Sequence, residues 1–273
     1  MKMALCVRAS DGPGTDRIGR LLELLNSRGV DVCVCTDTLP SDVDMLLALG
    51  GDGTFLSTLK MVYGRDIPVA GINFGRLGFL TSASMDCDSP KWVDDLLEGR
   101  YTVRDRAVLQ MSSPCLPDDF LPLALNEFVI RRKESNILSI DVSVDGHPLP
   151  AYWADGLMFV TPTGSTAYSL SLGGPVVMPG SRVMLITPLA SHNLNVRPLV
   201  IPLDSTVEVL FHTTDGSGIL TADNRAVEIP AESVLRITCG SSALKCVSLN
   251  DDNFINALST KLLWGEDRRN VTL

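Results

Sequence analysis

Three glycines around a single carboxylate, Gly50-Gly51-Asp52-Gly53, end the apolar run Leu46-Leu47-Ala48-Leu49, and Thr54-Phe55-Leu56 read as the start of a helix. Glycines allow a tight turn and bring backbone N–H groups close to an anion, while a helix N-terminus adds partial positive charge. A phosphoryl group fits that setting, with Asp52 beside it. A lone carboxylate there is a general base for a hydroxyl nucleophile or a ligand, direct or through water, for Mg²⁺. Both roles belong to phosphoryl transfer. No Walker sequence with its lysine follows, and Gly12, Gly14 and Gly19 do not keep dinucleotide-fingerprint spacing.

A second stretch runs from Asp155-Gly156 to Gly173-Gly174-Pro175 and is dense in hydroxyls: Thr161, Thr163, Ser165, Thr166, Ser169 and Ser171. Uncharged hydroxyls recognise bases, amides and sugars without repelling a phosphate. Ser165 or Thr166 also suits the cap of a helix running to Leu172. Asn126-Glu127 interrupts the apolar approach from Leu121 to Ile130; an amide beside a carboxylate can grip adenine and vicinal ribose hydroxyls, or simply make a solvated turn. Arg131-Arg132-Lys133 reads as a solvated hairpin tip or as a contact for donor phosphates. His147, His192 and His212 lack triad or metal spacing.

These residues need a scaffold. Residues 1 to about 100 alternate short apolar runs with amphipathic stretches, the pattern of a parallel sheet with helices: strands at Met3–Val7, Val30–Cys35, Met45–Leu49 and Pro68–Ile72, helices at Arg17–Arg28 (stopped by Gly29) and Pro90–Glu98. From about Tyr101 the period changes to two. Val129–Ile130, Ser139–Val144, Val183–Pro188, Val207–Phe211, Val234–Thr238 and Cys246–Leu249 read as strands, with a turn at Asp145-Gly146. Asp251–Trp264 returns to helical spacing. The expected division is an α/β domain over 1–100, a mostly-β domain over 101–250, and a C-terminal helix over 251–273 that packs back on the first domain.

The chain has 273 residues, 45% of them hydrophobic, enough for one large core or two moderate ones. Its seven cysteines are scattered without CxxC pairing or nearby histidines, which predicts reduced thiols in the cytoplasm and no structural zinc site. Met1–Arg8 meets charge too early for a secretory or membrane segment. A net charge of −9 argues against nucleic acid or an anionic membrane as partner. Polyphosphate substrates must then be attracted locally, by backbone N–H groups, a divalent metal and a few arginines.

Taken in order, Gly50-Gly51-Asp52-Gly53-Thr54, Gly71-Ile72-Asn73-Phe74-Gly75-Arg76-Leu77-Gly78-Phe79-Leu80, Asn126-Glu127 and Thr161-Pro162-Thr163-Gly164-Ser165-Thr166-Ala167-Tyr168-Ser169 resemble the NAD kinases across nearly the whole chain. The resemblance implies an N-terminal α/β domain with a parallel sheet, a mostly-β C-terminal domain and a homo-oligomer, a tetramer or a dimer. It implies phosphorylation of the adenosine-ribose 2′-hydroxyl of NAD⁺ to NADP⁺ by ATP or polyphosphate, with Mg²⁺ or Mn²⁺ held mainly through donor phosphates and no protein metal ligand. Asp52 would accept the proton, with Gly53 beside it. Asn126 and Glu127 would hold nucleoside groups, Asp155 the polar end of the dinucleotide, and Phe74 would form an apolar wall. Thr163, Thr166, Ala167, Tyr168, Ser169, Leu170 and Ser171 would line the NAD site, with Ala190 near the nicotinamide. The chain departs from the family pattern at Ser57, where many members are basic, and at Arg225, where a glutamine or histidine often faces the nucleotide.

Two other readings share these residues. A diacylglycerol-type lipid kinase has the same Gly-Gly-Asp-Gly element, although no amphipathic stretch here suggests membrane docking. A non-catalytic dinucleotide sensor would keep the NAD site without the chemistry.

Overall fold

The computed structural model describes residues 1–7, 16–74, 78–85, 91–249 and 254–265. Gly12, Gly14, Gly75, Arg76, Leu77, Cys87, Pro90 and Asp251 lie outside those residues. The chain divides into two compact units, one of Met1–Asp105 with Leu244–Leu273, the other of Arg106–Ala243.

In the first unit, strands lie side by side in the order Asp31–Cys35, Lys2–Val7, Met45–Leu49, Val69–Asn73, Leu244–Leu249 and Tyr101–Arg106, and the short Ala83–Ser84 strand also pairs with Val69–Asn73. Lys2–Val7 is parallel to both its neighbours, with Met3 opposite Val32 and Met45, and Leu46 sits opposite Val69. Met45–Leu49 and Val69–Asn73 are buried at every position, as central parallel strands covered on both faces must be. One face packs Met3, Leu5 and Val7 against Ile18, Leu21 and Leu25 of the Asp16–Ser27 helix and Trp92, Val93 and Leu96 of the Lys91–Leu97 helix.

The division expected at residues 100 and 250 differs from this arrangement. Leu244–Leu249 joins the first sheet, parallel to Val69–Asn73 with Cys246 opposite Val69, and Val247 and Leu249 enter that core. Tyr101–Arg106 forms the same sheet's edge. A strand buried along nearly its whole length satisfies its backbone and its side chains beside a central parallel strand, whatever its place in sequence. The last described helix, Phe254–Leu262, lies in this first unit.

The second unit holds two antiparallel sheets. One orders His147–Pro148, Leu138–Val144, Val207–His212, Val234–Cys239, Leu109–Ser112 and Leu123–Ala124, with Tyr152–Ala154 also on Leu138–Val144. The other orders Leu199–Pro202, Val183–Leu189, Gly156–Val160, Glu127–Arg132, Ser217–Ala222 and Arg225–Pro230. Alternate residues of both, including Phe128, Ile130, Ile140, Phe159, Ile186, Phe211 and Ile237, make one core. The outer face of the second sheet, with Val129, Met158, Val160 and Leu185, is covered by Leu172 and Val177. Burial on both faces explains why Gly156–Val160 is apolar throughout, without a polar alternation.

Candidate active site

In the first unit Asp52 opens a six-residue helix, Asp52–Ser57, with Gly51 before it and the Met45–Leu49 strand just upstream. Among the described residues its carboxylate is held by backbone: Oδ2 accepts the Phe79 N–H at 2.9 Å and Oδ1 the Leu80 N–H at 3.1 Å. The donors belong to a loop that follows the Val69–Asn73 strand, and Ser82 N–H bonds Gly71 O at 2.9 Å. A Cβ on Gly78 would meet Asp52 Oδ1 at 1.9 Å, so the carboxylate occupies the space that any larger residue needs. Each carboxylate oxygen has two lone pairs, and among the described residues one on each is left for a proton or a ligand. Ser57 Oγ donates to Thr54 O at 2.6 Å and offers no charge to a donor phosphate. Phe74 is half-buried at the end of its strand, and its carbonyl accepts from Arg17 Nη1 at 2.9 Å.

In the second unit the expected residues fall into two groups at opposite ends of the Gly156–Val160 strand. Five residues at about 3.3 Å each separate them by roughly 16 Å. At one end, Leu125-Asn126 bends into Glu127, the first residue of its strand, and this turn is clamped from below by Asp223. That carboxylate is wholly buried and accepts N–H bonds from Leu125 at 2.9 Å, Asn126 at 2.8 Å and Glu127 at 3.2 Å. Thr161 closes the turn from the other side, its N–H donating to Asn126 O at 2.8 Å and its hydroxyl to Leu125 O at 2.6 Å. Gly164 is required here because a Cβ would stand 2.3 Å from Asn126 O. Arg225, read as a nucleotide contact, turns its Nη2 to Leu123 O and stands 3.9 Å from Asp223, so it acts within this clamp.

Three polar atoms around this turn are buried with no partner among the described residues: Glu127 Oε2, Thr163 Oγ1 and Arg225 Nε. Unmatched buried polar atoms are costly unless a ligand or water completes them. Burial, with the Asp223 charge second, pushes the Glu127 carboxyl up from its ordinary 4.5 to about 8. Burial also raises the Asp223 carboxyl, against which its three N–H bonds and Arg225 work. Glu127 is therefore neutral at pH 7, able to donate as well as accept.

That protonation has a measurable consequence. The unfolded chain releases the Glu127 proton near 4.5 and the folded chain near 8, so its contribution to stability is complete below the first value and is lost as pH rises through the second. Glu127→Gln is neutral throughout and is expected to remove that decline. Its Tm should exceed that of wild type by more at about pH 8.5 than at about pH 5 in thermal melts. An equal offset at both would contradict a neutral Glu127.

At the other end, Asp155 N–H bonds Leu189 O at 3.0 Å, which brings it next to Ala190, an exposed non-glycine residue at φ 45°. Left-handed backbone at an alanine is strained and is found where a site demands it. Arg132 grips Asp155 with two contacts, Nε to Oδ1 at 2.9 Å and Nη2 to Oδ2 at 3.1 Å, and Lys133 pairs with Glu228 at 2.8 Å. Arg132 and Lys133 are thus spent on acidic partners, and of the three only Arg131 has no such pairing among the described residues.

Between the two ends, Thr163–Thr166 forms a 3-10 turn and Tyr168–Ser171 a four-residue helix, broken at Ala167. Neither has a side-chain cap, contrary to the expected single capped helix to Leu172. Ser165 Oγ instead donates to Pro162 O at 2.7 Å and accepts from Val177 N at 3.0 Å. Ser169 Oγ meets Thr187 Oγ1 at 3.1 Å. These two hydroxyls hold the segment on the sheet, and Thr166, Tyr168, Leu170 and Ser171 keep partly or largely exposed surfaces. His212 is committed to Asp141 at 3.0 Å and Glu232 at 2.8 Å.

Residues 21–101 match the model of the ATP-NAD kinase N-terminal domain, and residues 125–249 that of the ATP-NAD kinase C-terminal domain. The chain belongs to the ATP-NAD kinase family. A NAD kinase of Christiangramia forsetii is 36% identical over 93% of this family member and 94% of its own length. One of Bacteroides fragilis is 34% identical over 98% and 100%. Among solved structures, an NAD kinase from Archaeoglobus fulgidus in complex with ATP matches with a TM-score of 0.78 and 26% identity, over 95% of this chain and 98% of that one. A yeast NADH kinase complexed with NADH shares the fold at a TM-score of 0.85 and 22% identity, over 100% and 90%. The two-domain layout of a parallel α/β sheet followed by antiparallel sheets is that of these kinases.

Proposed function

We propose that this chain phosphorylates the 2′-hydroxyl of the adenosine ribose of NAD⁺ to give NADP⁺, with ATP as donor and Asp52 as general base. The observation that carries the reading is the Asp52 carboxylate held by two backbone N–H groups in a chain of the ATP-NAD kinase family. A ribose hydroxyl is a poor nucleophile at neutral pH. As its oxygen bonds to the γ-phosphorus and the bond from that phosphorus to the ADP oxygen breaks, its proton passes to Asp52.

The unmatched polar atoms of Glu127 and Thr163 support a nucleoside at the Asn126-Glu127 turn, where a neutral carboxyl and an amide offer donors and acceptors without repelling phosphate. Thr166, Ala167, Tyr168, Leu170 and Ser171 would continue that surface toward Asp155 and Ala190, which would take the far end of the dinucleotide, while Ser169, expected on that surface, is fully buried against Thr187 and would hold the segment in place. Gly53 and Phe74 would serve beside Asp52. The ATP and NADH held by the two solved relatives support these ligand classes.

Among the described residues no group of three or more His, Cys, Asp or Glu side chains is placed to hold a metal ion. A divalent ion, Mg²⁺ or Mn²⁺, would be carried by the donor phosphates, where it would neutralise their charge. Polyphosphate as a second donor and a homodimer or homotetramer belong to the same proposal, and the exposed Trp153, Leu194 and Val200 support self-association. The six described cysteines are unbridged, which supports a cytoplasmic setting, and no described helix is long and apolar enough to cross a membrane. Purified chain with NAD⁺, Mg²⁺ and either ATP or polyphosphate should yield NADP⁺. Saturable NAD⁺ binding without product would favour a sensor, and phosphorylation of diacylglycerol a lipid kinase.

A further inference from the structure

The peptide group between Gly78 and Phe79 has partners at both ends. Its N–H is the one that Asp52 Oδ2 accepts at 2.9 Å. Its carbonyl, on Gly78, accepts from the Lys261 ammonium, which reaches it from 183 residues away in sequence. The same ammonium stands 5.1 Å from the centroid of the Phe79 ring, and that ring packs tilted at 53° against Phe254, centroids 6.1 Å apart. Phe254 and Lys261 are seven positions apart on the Phe254–Leu262 helix and so share one face. The helix therefore grips both the Gly78 carbonyl and the Phe79 ring on either side of one of the N–H groups that hold Asp52.

We propose that Lys261 is a positioning residue for phosphoryl transfer, acting on Asp52 through the Gly78–Phe79 peptide. A cation on the carbonyl oxygen polarises the peptide, and its N–H becomes a stronger donor to the carboxylate, since linked hydrogen bonds strengthen one another. Phe254 keeps the Phe79 ring from rotating the loop away. Few other charges bear on this group among the described residues: the 78–85 loop and the Val69–Asn73 strand carry none, and the helices at 52–57 and 254–262 carry one each, Asp52 and Lys261. The proposal rests on Asp52 as proton acceptor.

Lys261→Met keeps the length of the apolar stem and removes the charge. It is expected to lower kcat about tenfold with NAD⁺ affinity unchanged within about twofold, because a loosened base affects the reacting geometry and not the ground-state binding. Lys261→Arg, which keeps the charge and the donors, should restore kcat. A Lys261→Met enzyme that loses only thermal stability, with the kcat of wild type, would overturn the proposal and reduce Lys261 to a strut. Asp52→Asn measured alongside separates the premises: full turnover in that variant removes the base itself, whereas an inactive Asp52→Asn beside an unaltered Lys261→Met removes only the relay.

Discussion

Gly78→Ala is expected to lower kcat by about 10²-fold while NAD⁺ affinity stays within a few-fold of wild type. The added methyl would stand 1.9 Å from Asp52 Oδ1 and 2.4 Å from its Cγ, far inside any permitted contact. Either the carboxylate swings to another rotamer or the 78–80 backbone withdraws, and both outcomes break the bonds from Phe79 and Leu80. Displacing a catalytic group by about 1 Å is enough for a loss of this order. Strain of this kind costs about 1–3 kcal/mol, so the protein is expected to fold with a lowered Tm. Steady-state kinetics beside a titration of NAD⁺ binding checks it. Unchanged kcat would mean that the bonds to Asp52 are irrelevant to turnover.

Side-chain patterns and backbone roles differ in how well a sequence displays them. Met45–Leu49 and Val69–Asn73 were legible because central parallel strands must be apolar at every position, and the Asp16–Ser27 helix because Ile18, Leu21 and Leu25 keep helical spacing. Asp52 was legible through the glycines that frame it. Its partners were not, because Phe79 and Leu80 contribute N–H groups that every residue except proline carries. The same holds for Asp223, whose three acceptor bonds go to the backbone of Leu125, Asn126 and Glu127. An Asp-Asn pair between alternating strands marks a tight hairpin turn, and Asp223 indeed has φ 51°, but that signal names the turn and not the clamp.

Long-range pairing hid the rest. Arg132 and Asp155 lie 23 residues apart, and nothing local tells a grouped basic cluster that its charge is already spent. Leu244–Leu249 has the pattern of a strand, yet its sheet is chosen by the vacant edge beside Val69–Asn73. Gly156–Val160 lacks alternation because both its faces are buried, so no period of two marks it as a strand. Arg225, one of the chain's two departures from the family pattern, joins the Asp223 clamp through its Nη2 while its Nε is left unmatched among the described residues.

Asp52→Asn tests the central claim, that this carboxylate takes the proton of the ribose hydroxyl. The amide cannot accept protons as the carboxylate does, and general-base help is worth about 10²–10⁴ in rate. The geometry adds a second effect: one of the Phe79 and Leu80 N–H groups would face the NH₂ of the asparagine, leaving a donor unmet at about 1–3 kcal/mol. The measurement is therefore NADP⁺ formation per folded molecule, with folding verified by the melt and NAD⁺ affinity by titration calorimetry on the same sample. The account predicts a turnover loss of about 10²–10⁴ with NAD⁺ affinity within a few-fold of wild type. A folded Asp52→Asn protein that makes NADP⁺ at the wild-type rate would contradict it.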